Sequence, residues 1–215
     1  MKRPQFVALV PVKPLAVGKS RMRGVADADR VRLAAGFALD VVGACLVTPS
    51  VARVLVVTDD AEFAAEIGRA GAAVVPDGVA GDLNESLRQA ALEAARRWPG
   101  LVPVAVCADL PALRPADLDA ALTAWPGPPA PPGFVADSDG VGTTLYLAAT
   151  EDFSPAFGGE SRRAHLAAGA AEITGELPTL RRDVDDVTAL ADARRLGLGA
   201  RTTSVVDGLA WPGIG

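Results

Sequence analysis

An α/β fold with a mostly parallel sheet is the architecture that the sequence predicts, on three observations. Apolar, β-rich runs alternate along the chain with longer segments of helical period, the pattern of strands joined by crossover helices. The 215 residues, 50% hydrophobic and 22% charged, have the composition of an ordinary globular chain, expected to form one domain over residues 1–215. No internal repeat and no coiled-coil heptad interrupts the alternation. A chain of this length buries roughly 70% of the surface its unfolded form exposes, so it needs neither disulfide nor structural metal to hold a core.

Phe6 to Val10 reads as the first strand. Asp27 can cap a long helix through about Leu46, because Val31, Leu33, Ala34, Phe37, Ala38, Val41 and Val42 recur at helical spacing on a wide apolar face. Strands follow at Arg53 to Thr58 and Ala73 to Val75, with a helix from Ala61 to Ala70 between them. Asn84 to Arg97 reads as helix, Val102 to Cys107 as strand and Pro115 to Ala124 as helix. The stretch WPGPPAPPG, residues 125 to 133, cannot be helix, since its prolines lack donors and fix φ; it should be an exposed, extended connection rather than a domain boundary. Strands then fall at Phe134 to Ala136 and Thr143 to Ala148, helices at Ser161 to Ala168 and Asp186 to Leu196, and a last strand at Thr202 to Val206.

Composition narrows the function classes. A net charge of −5 argues against sequence-independent nucleic-acid binding, but local basic residues can still hold a small anion. The N-terminal apolar run is interrupted by Pro11 and Lys13, too soon for a signal peptide or a membrane span. Cys45 and Cys107 suit buried thiols in a reducing cytoplasm better than a bridge, which places the chain in the cytoplasm. Neither nucleic acid nor membrane is expected as a partner, and oligomeric state is left open.

The first loop contains Gly18-Lys19-Ser20, the ending of a phosphate-binding P-loop, yet Lys13 stands where the first glycine of that motif belongs. That glycine lets the backbone curl around a phosphate, and Pro11, Lys13 and Pro14 make a stiffer loop. The loop can instead use side chains, with Lys13, Lys19 and Arg21 offering positive charge to a triphosphate at the carboxyl edge of the sheet; solvated surface lysines are the plainer alternative.

Four further motifs carry chemistry. In VCADLPAL, residues 106 to 113, Asp109 should sit at the carboxyl end of a strand, where open α/β sheets bind ligands and a carboxylate can hold Mg²⁺; otherwise it caps the turn at Pro111. In RRDVDDV, residues 181 to 187, Asp183 and Asp185 alternate along an extended segment and can face the same side; the alternative is helix capping by Asp185 or Asp186. DSDGVGTTLYL, residues 137 to 147, and FGGESRRAH, residues 157 to 165, both read as anion sites. Gly140 and Gly142 permit close backbone approach, Thr143 and Thr144 supply hydroxyls, and Gly158, Gly159 and Ser161 precede a helix start. A glycine-turn hairpin followed by an N-capping serine fits the same letters. Ser161 and His165, four apart, share a helix face, and the lone histidine is either structural or a ligand contact.

The ordered set PVKP…GKSRM, TDD, GDLNESL, ADLPAL, DGVGTT, FGGES…H and DVDD covers nearly the whole chain. It resembles the phosphoenolpyruvate / 2-phospho-L-lactate guanylyltransferases of deazaflavin coenzyme F-420 biosynthesis. The resemblance implies a single-domain, Rossmann-like nucleotidyltransferase fold, an α/β/α sandwich. It also implies a reaction in which the phosphate of a small phospho-acid attacks the α-phosphorus of GTP and expels pyrophosphate, with Mg²⁺ as cofactor. By the same resemblance Asp109, Asp183 and Asp185 hold the metal, and Thr143, Gly158 and Ser161 bind the phospho-acid. Lys13 and Lys19 meet the GTP phosphates, Lys19 acting in catalysis, while Gly81, Asp82 and Asn84 are assigned to the guanine end. One departure is visible: Gly159 stands where the family pattern has proline. The alanine, arginine, valine and glycine richness suggests a high-GC bacterium, and the resemblance then implies phosphoenolpyruvate rather than 2-phospho-L-lactate, because bacterial members of the family are associated with the former and archaeal members with the latter. Two rivals from other classes are a P-loop kinase or NTPase, which would form nucleoside diphosphate, and a non-catalytic nucleotide-binding protein, against which the three aspartates argue.

Overall fold

In the computed structural model, which describes residues 4–13, 22, 24–79 and 81–209, β1 (Phe6–Pro11) lies inside a seven-stranded sheet and is buried from Phe6 to Val10. Its residues alternate between two cores, Phe6, Ala8 and Val10 entering one and Val7 and Leu9 the other. A strand covered on both faces needs apolar side chains at every position, which is why FVALV shows no polar alternation.

Along the chain follow α1 (Asp27–Val47), β2 (Val51–Val57), α2 (Ala61–Arg69), β3 (Ala73–Val75), α3 (Leu83–Arg97), β4 (Val102–Val106) and α4 (Pro115–Ala124). The second half contains β5 (Gly133–Ala136), β6 (Thr143–Leu147), a 3-10 turn at Thr150–Asp152, α5 (Ser161–Ala167), β7 (Ala171–Glu172), α6 (Pro178–Arg181), α7 (Val187–Leu196) and α8 (Ala200–Asp207). The strand order is β3-β2-β1-β4-β6-β5-β7. β1 pairs parallel with β2 and β4, β2 with β3, and β5 with β7, whereas β6 runs antiparallel to both β4 and β5. The chain therefore builds outward from β1 to β3, then crosses back to start β4 on the other side of β1. That reversal opens a crevice beyond the carboxyl ends of β1 and β4, where α/β sheets receive ligands.

α1, α2 and α4 supply Ala38, Val41, Phe63, Ile67, Leu118 and Leu122 to the core on one face, and α3 supplies Leu87, Ala90, Ala91 and Ala94 to the other. A third cluster joins Leu33 and Phe37 of α1 to Leu190 and Ala193 of α7 and Val206 of α8. α1 is thus buried along two sides, which explains its wide apolar face.

Three expectations are corrected. Thr202 to Val206 is helix, not strand: the Asp40 carboxylate on α1 accepts the Arg201 amide at 3.0 Å and the Thr202 amide at 2.8 Å, satisfying the first donors of α8 from another helix. Thr202 and Val206, one turn apart, then bury together against α1, so packing overrides the β-branched preference of TTSVV. Asp27 does not cap α1: Ala26 is the capping residue, and Asp27 pairs with Arg30 in the first turn. The proline stretch is non-helical, but it is neither exposed nor extended throughout: Trp125, Gly127 and Gly133 are buried, and the chain folds back so that the Trp125 indole donates to the Pro131 carbonyl at 2.9 Å. The short β7 and α6 were not anticipated from sequence.

Candidate active site

Asp109 stands three residues beyond β4, in a turn whose Leu110 and Ala112 are buried. Its carbonyl accepts the Val184 amide at 3.0 Å, and Val184 is itself fully buried between Asp183 and Asp185. Arg181 fastens the same segment to the sheet: its guanidinium donates to the Ala136 carbonyl at 2.9 Å and the Ile173 carbonyl at 3.1 Å, while its own carbonyl accepts from the Ser138 amide at 2.8 Å. An apolar anchor, one backbone bond and one arginine staple thus bring Asp183 and Asp185 to the cavity that Asp109 lines.

The turn between β5 and β6 adds a fourth carboxylate. Asp137 accepts the Val141 amide at 2.9 Å and the Gly142 amide at 2.7 Å, closing a tight loop. A Cβ on Gly142 would run into the Asp137 Oδ2, so glycine lets the carboxylate reach both amides. The electrostatic result falls on Asp183. Burial, then the negative charges of Asp109, Asp137 and Asp185, push its carboxyl up to about 7.

The same cavity also carries anion-type residues. Thr143 opens β6, and Gly158, Gly159 and Ser161 lead into α5; all line one cavity of about 940 Å³ with the aspartates and Lys13. α5 begins at Ser161 and has Glu160 at its cap position without a side-chain capping bond, so Ser161 is not the N-cap that the plainer reading required. The loop before it is held by α3: Asn84 Nδ2 donates to the Phe157 carbonyl at 3.0 Å and Asn84 Oδ1 accepts the Phe157 amide at 2.8 Å. Asp186 caps α7 by accepting the Ala189 amide at 2.8 Å, which leaves Asp183 and Asp185 outside the capping role.

No protein-family model matches the chain. The phosphoenolpyruvate guanylyltransferase of Salinispora arenicola is 48% identical over 213 residues, spanning 98% of this chain and 97% of that one. That of Geodermatophilus obscurus is 45% identical over 212 residues, with 95% of each chain covered. The chain belongs to the phosphoenolpyruvate guanylyltransferase family. Among solved structures, a putative nucleotide-diphospho-sugar transferase from Desulfovibrio desulfuricans superposes with a TM-score of 0.68 at 16% identity over 95% of both chains. A nucleotidyl transferase from Methanothermobacter thermautotroptrophicus does so at 0.56 and 19%, covering 95% of this chain and 99% of that one. These likenesses establish the nucleotidyltransferase fold.

Within this guanylyltransferase-family chain, the residues expected to act on metal and acceptor meet in one cavity, while Gly81, Asp82 and Asn84, expected at the guanine end, are not among those lining it. Asn84 has both polar atoms engaged by Phe157, and Asp82 caps α3 by accepting the Asn84 and Glu85 amides at 3.1 and 3.0 Å. Gly81 precedes that cap with φ of +88°, a conformation that favours glycine. Lys13 lines the cavity from the carboxyl end of β1, whereas Lys19 lies outside the described residues. Sequence reasoning missed Asp137 and Arg182, which also line the cavity; Asp137 stood inside the DSDGVGTT motif, where the glycine that must accommodate it was the available signal.

The donor set suits a hard divalent cation. Burial, reinforced by the negative charges of Asp109, Asp137 and Asp185, holds the Asp183 carboxyl near neutral pH, and a divalent ion would offset that crowded charge. Among the described residues no three acids, cysteines or histidines are already gathered into a metal cage.

Proposed function

We propose that this chain joins the guanosine monophosphate moiety of GTP to the phosphate of phosphoenolpyruvate, giving enolpyruvoyl-2-diphospho-5′-guanosine and pyrophosphate. The observation that carries the reading is that one cavity is lined both by the carboxylates Asp109, Asp183 and Asp185 and by Thr143, Gly158 and Ser161. A substrate phosphate oxygen forms the new bond to the α-phosphorus of GTP as the bond to the pyrophosphate oxygen breaks. The attacking phosphate is already anionic at neutral pH, so no general base is required, and catalysis consists of alignment and charge neutralisation.

Asp109, Asp183 and Asp185 would hold Mg²⁺, which when bound supplies positive charge to phosphoryl oxygens. Thr143, Ser161 and the Gly158 backbone receive the phospho-acid, and Lys13, with Lys19, meets the GTP phosphates. The names of the relatives support phosphoenolpyruvate as acceptor, and the resemblance supports a place in coenzyme F-420 biosynthesis, in the cytoplasm. Among the described residues no helix is long and apolar enough to cross a membrane.

Mass spectrometry of products after incubation with GTP, Mg²⁺ and either phosphoenolpyruvate or 2-phospho-L-lactate tests the assignment. The enolpyruvoyl product with stoichiometric pyrophosphate is expected. Formation of GDP without an acceptor adduct would replace a transferase with a GTP hydrolase, and preference for phospholactate would change the acceptor.

A further inference from the structure

His165 is the only histidine of the chain, is 1% exposed and belongs to no step above. Its ring stacks against Tyr146 at 4.7 Å and Phe134 at 5.4 Å between centroids, and meets the edge of Phe157 at 5.7 Å. Each ring nitrogen has a partner on an element of the acceptor wall. Nε2 lies 2.9 Å from the Ala156 amide, and Nδ1 lies 3.1 Å from the Thr143 hydroxyl.

These partners determine the tautomer. A backbone N–H only donates, so Nε2 must present its lone pair to Ala156, and the single proton of a neutral imidazole sits on Nδ1. The aromatic enclosure keeps the ring neutral, burial holding its pKa down to about 4 against a weaker opposing effect from the Ser161 backbone. With Nδ1 as donor, the Thr143 oxygen can only accept from it. The Thr143 hydroxyl proton is then left to donate elsewhere, and Thr143 lines the cavity.

We propose that His165 is a positioning residue for acceptor binding: fixed in the Nδ1–H tautomer by Ala156, it orients the Thr143 hydroxyl so that its proton is presented to the anionic group of the acceptor. This rests on the reading of Thr143 as a phospho-acid contact. One imidazole thereby ties together β6, the loop before α5 and α5 itself, three pieces that must agree in position for one phosphate to touch all of them.

The wild-type protein gives the first test, because its one histidine makes the imidazole nitrogen spectrum unambiguous. Long-range proton–nitrogen NMR at neutral pH should show a protonated Nδ1 and a bare Nε2; an Nε2–H tautomer or an imidazolium would overturn the proposal. Kinetics give the second. His165→Leu should lower kcat/KM for phosphoenolpyruvate by about 30-fold with the KM for GTP within about twofold, the pattern of a lost acceptor contact. His165→Asn, which keeps a donor near the Nδ1 position, should recover to within about fivefold of wild type. Adding Thr143→Val to His165→Leu should cost little more, since both remove one interaction. Additive losses, or an unchanged acceptor KM in a folded His165→Leu, would overturn the proposal; should His165→Leu not fold, the wild-type tautomer and the His165→Asn kinetics decide. A wild-type protein that forms no adduct with phosphoenolpyruvate would instead refute the acceptor assignment, independently of the tautomer.

Discussion

Both polar atoms of the Asn84 carboxamide bond the backbone of a single residue 73 positions away, Phe157: the side-chain amide donates to its carbonyl at 3.0 Å and the side-chain oxygen accepts its amide at 2.8 Å. A side chain at the start of α3 thereby does what a neighbouring strand would do, completing the hydrogen bonds of a loop segment that forms part of the cavity wall. Asn84→Ala leaves a partly buried N–H and C=O unpaired, so a loss of about 1–3 kcal/mol in urea unfolding is expected. The loosened loop carries Gly158, so the KM for the phospho-acid should rise more than that for GTP. The opposite ranking would return Asn84 to the nucleotide.

Asp109→Asn barely changes side-chain volume but removes one negative charge from the cavity. Turnover should fall by at least about 100-fold with the thermal midpoint of the metal-free protein kept within a few degrees. Retained activity would take Asp109 out of the mechanism.

Asp183 and His165 give the metal-free protein opposite pH dependences. The Asp183 carboxyl is raised to about 7 in the folded state from an ordinary 3.8, so its contribution to stability is present below 3.8 and is lost as pH rises toward 7. Asp183→Asn, neutral at all pH, should therefore be the more stable protein above pH 7, by on the order of 1–2 kcal/mol once solvent screening is allowed for. A divalent cation should stabilise the wild type more than this variant, which differential scanning calorimetry with and without Mg²⁺ would read.

His165, lowered to about 4 from 6.5, contributes stability that is complete above 6.5 and lost as pH falls toward 4, because the unfolded chain takes up a proton that the folded ring refuses. The neighbouring Tyr146 phenol has its own pKa raised by burial and stays neutral throughout this range. The imidazole proton resonances should show no titration between pH 7 and 5.5. A midpoint near 6.5 would mean that the ring is open to water.

Gly142→Ala runs a methyl into the Asp137 Oδ2, so the turn must open or the carboxylate must rotate away from the two amides that it accepts. A stability loss of about 1–3 kcal/mol is expected, together with weakened acceptor use. Asp40→Ala, at a residue that does not line the cavity, should cost about 1 kcal/mol through the uncapped α8 and leave kcat unchanged.

Among the described residues, six of the seven strands and six of the eight helices were legible to within about two residues, because burial on both faces writes a strand as an apolar run and a helix as a 3.6-residue period. The clustering of Asp109 with Asp183 and Asp185 was readable only as an expectation. Its means, the Arg181 staple and the buried Val184, belong to residues that look ordinary in sequence. The same holds for Asn84, whose polar side chain in a GDLNESL motif suggested ligand recognition and which the fold uses to brace Phe157.

The alternation of strands and helices was legible because it follows from local periodicity, the residue types offered to phosphate and metal were legible from side-chain chemistry, and the family came from the likeness of an ordered set of motifs. Tertiary structure alone decided that TTSVV is a helix, that Asp137 adds its charge to Asp183 and that His165 speaks to Thr143 through a fixed tautomer. The physical reason is that capping by a distant carboxylate, mutual repulsion among acids and the placement of one proton all depend on distances in space, which no local pattern of residues records.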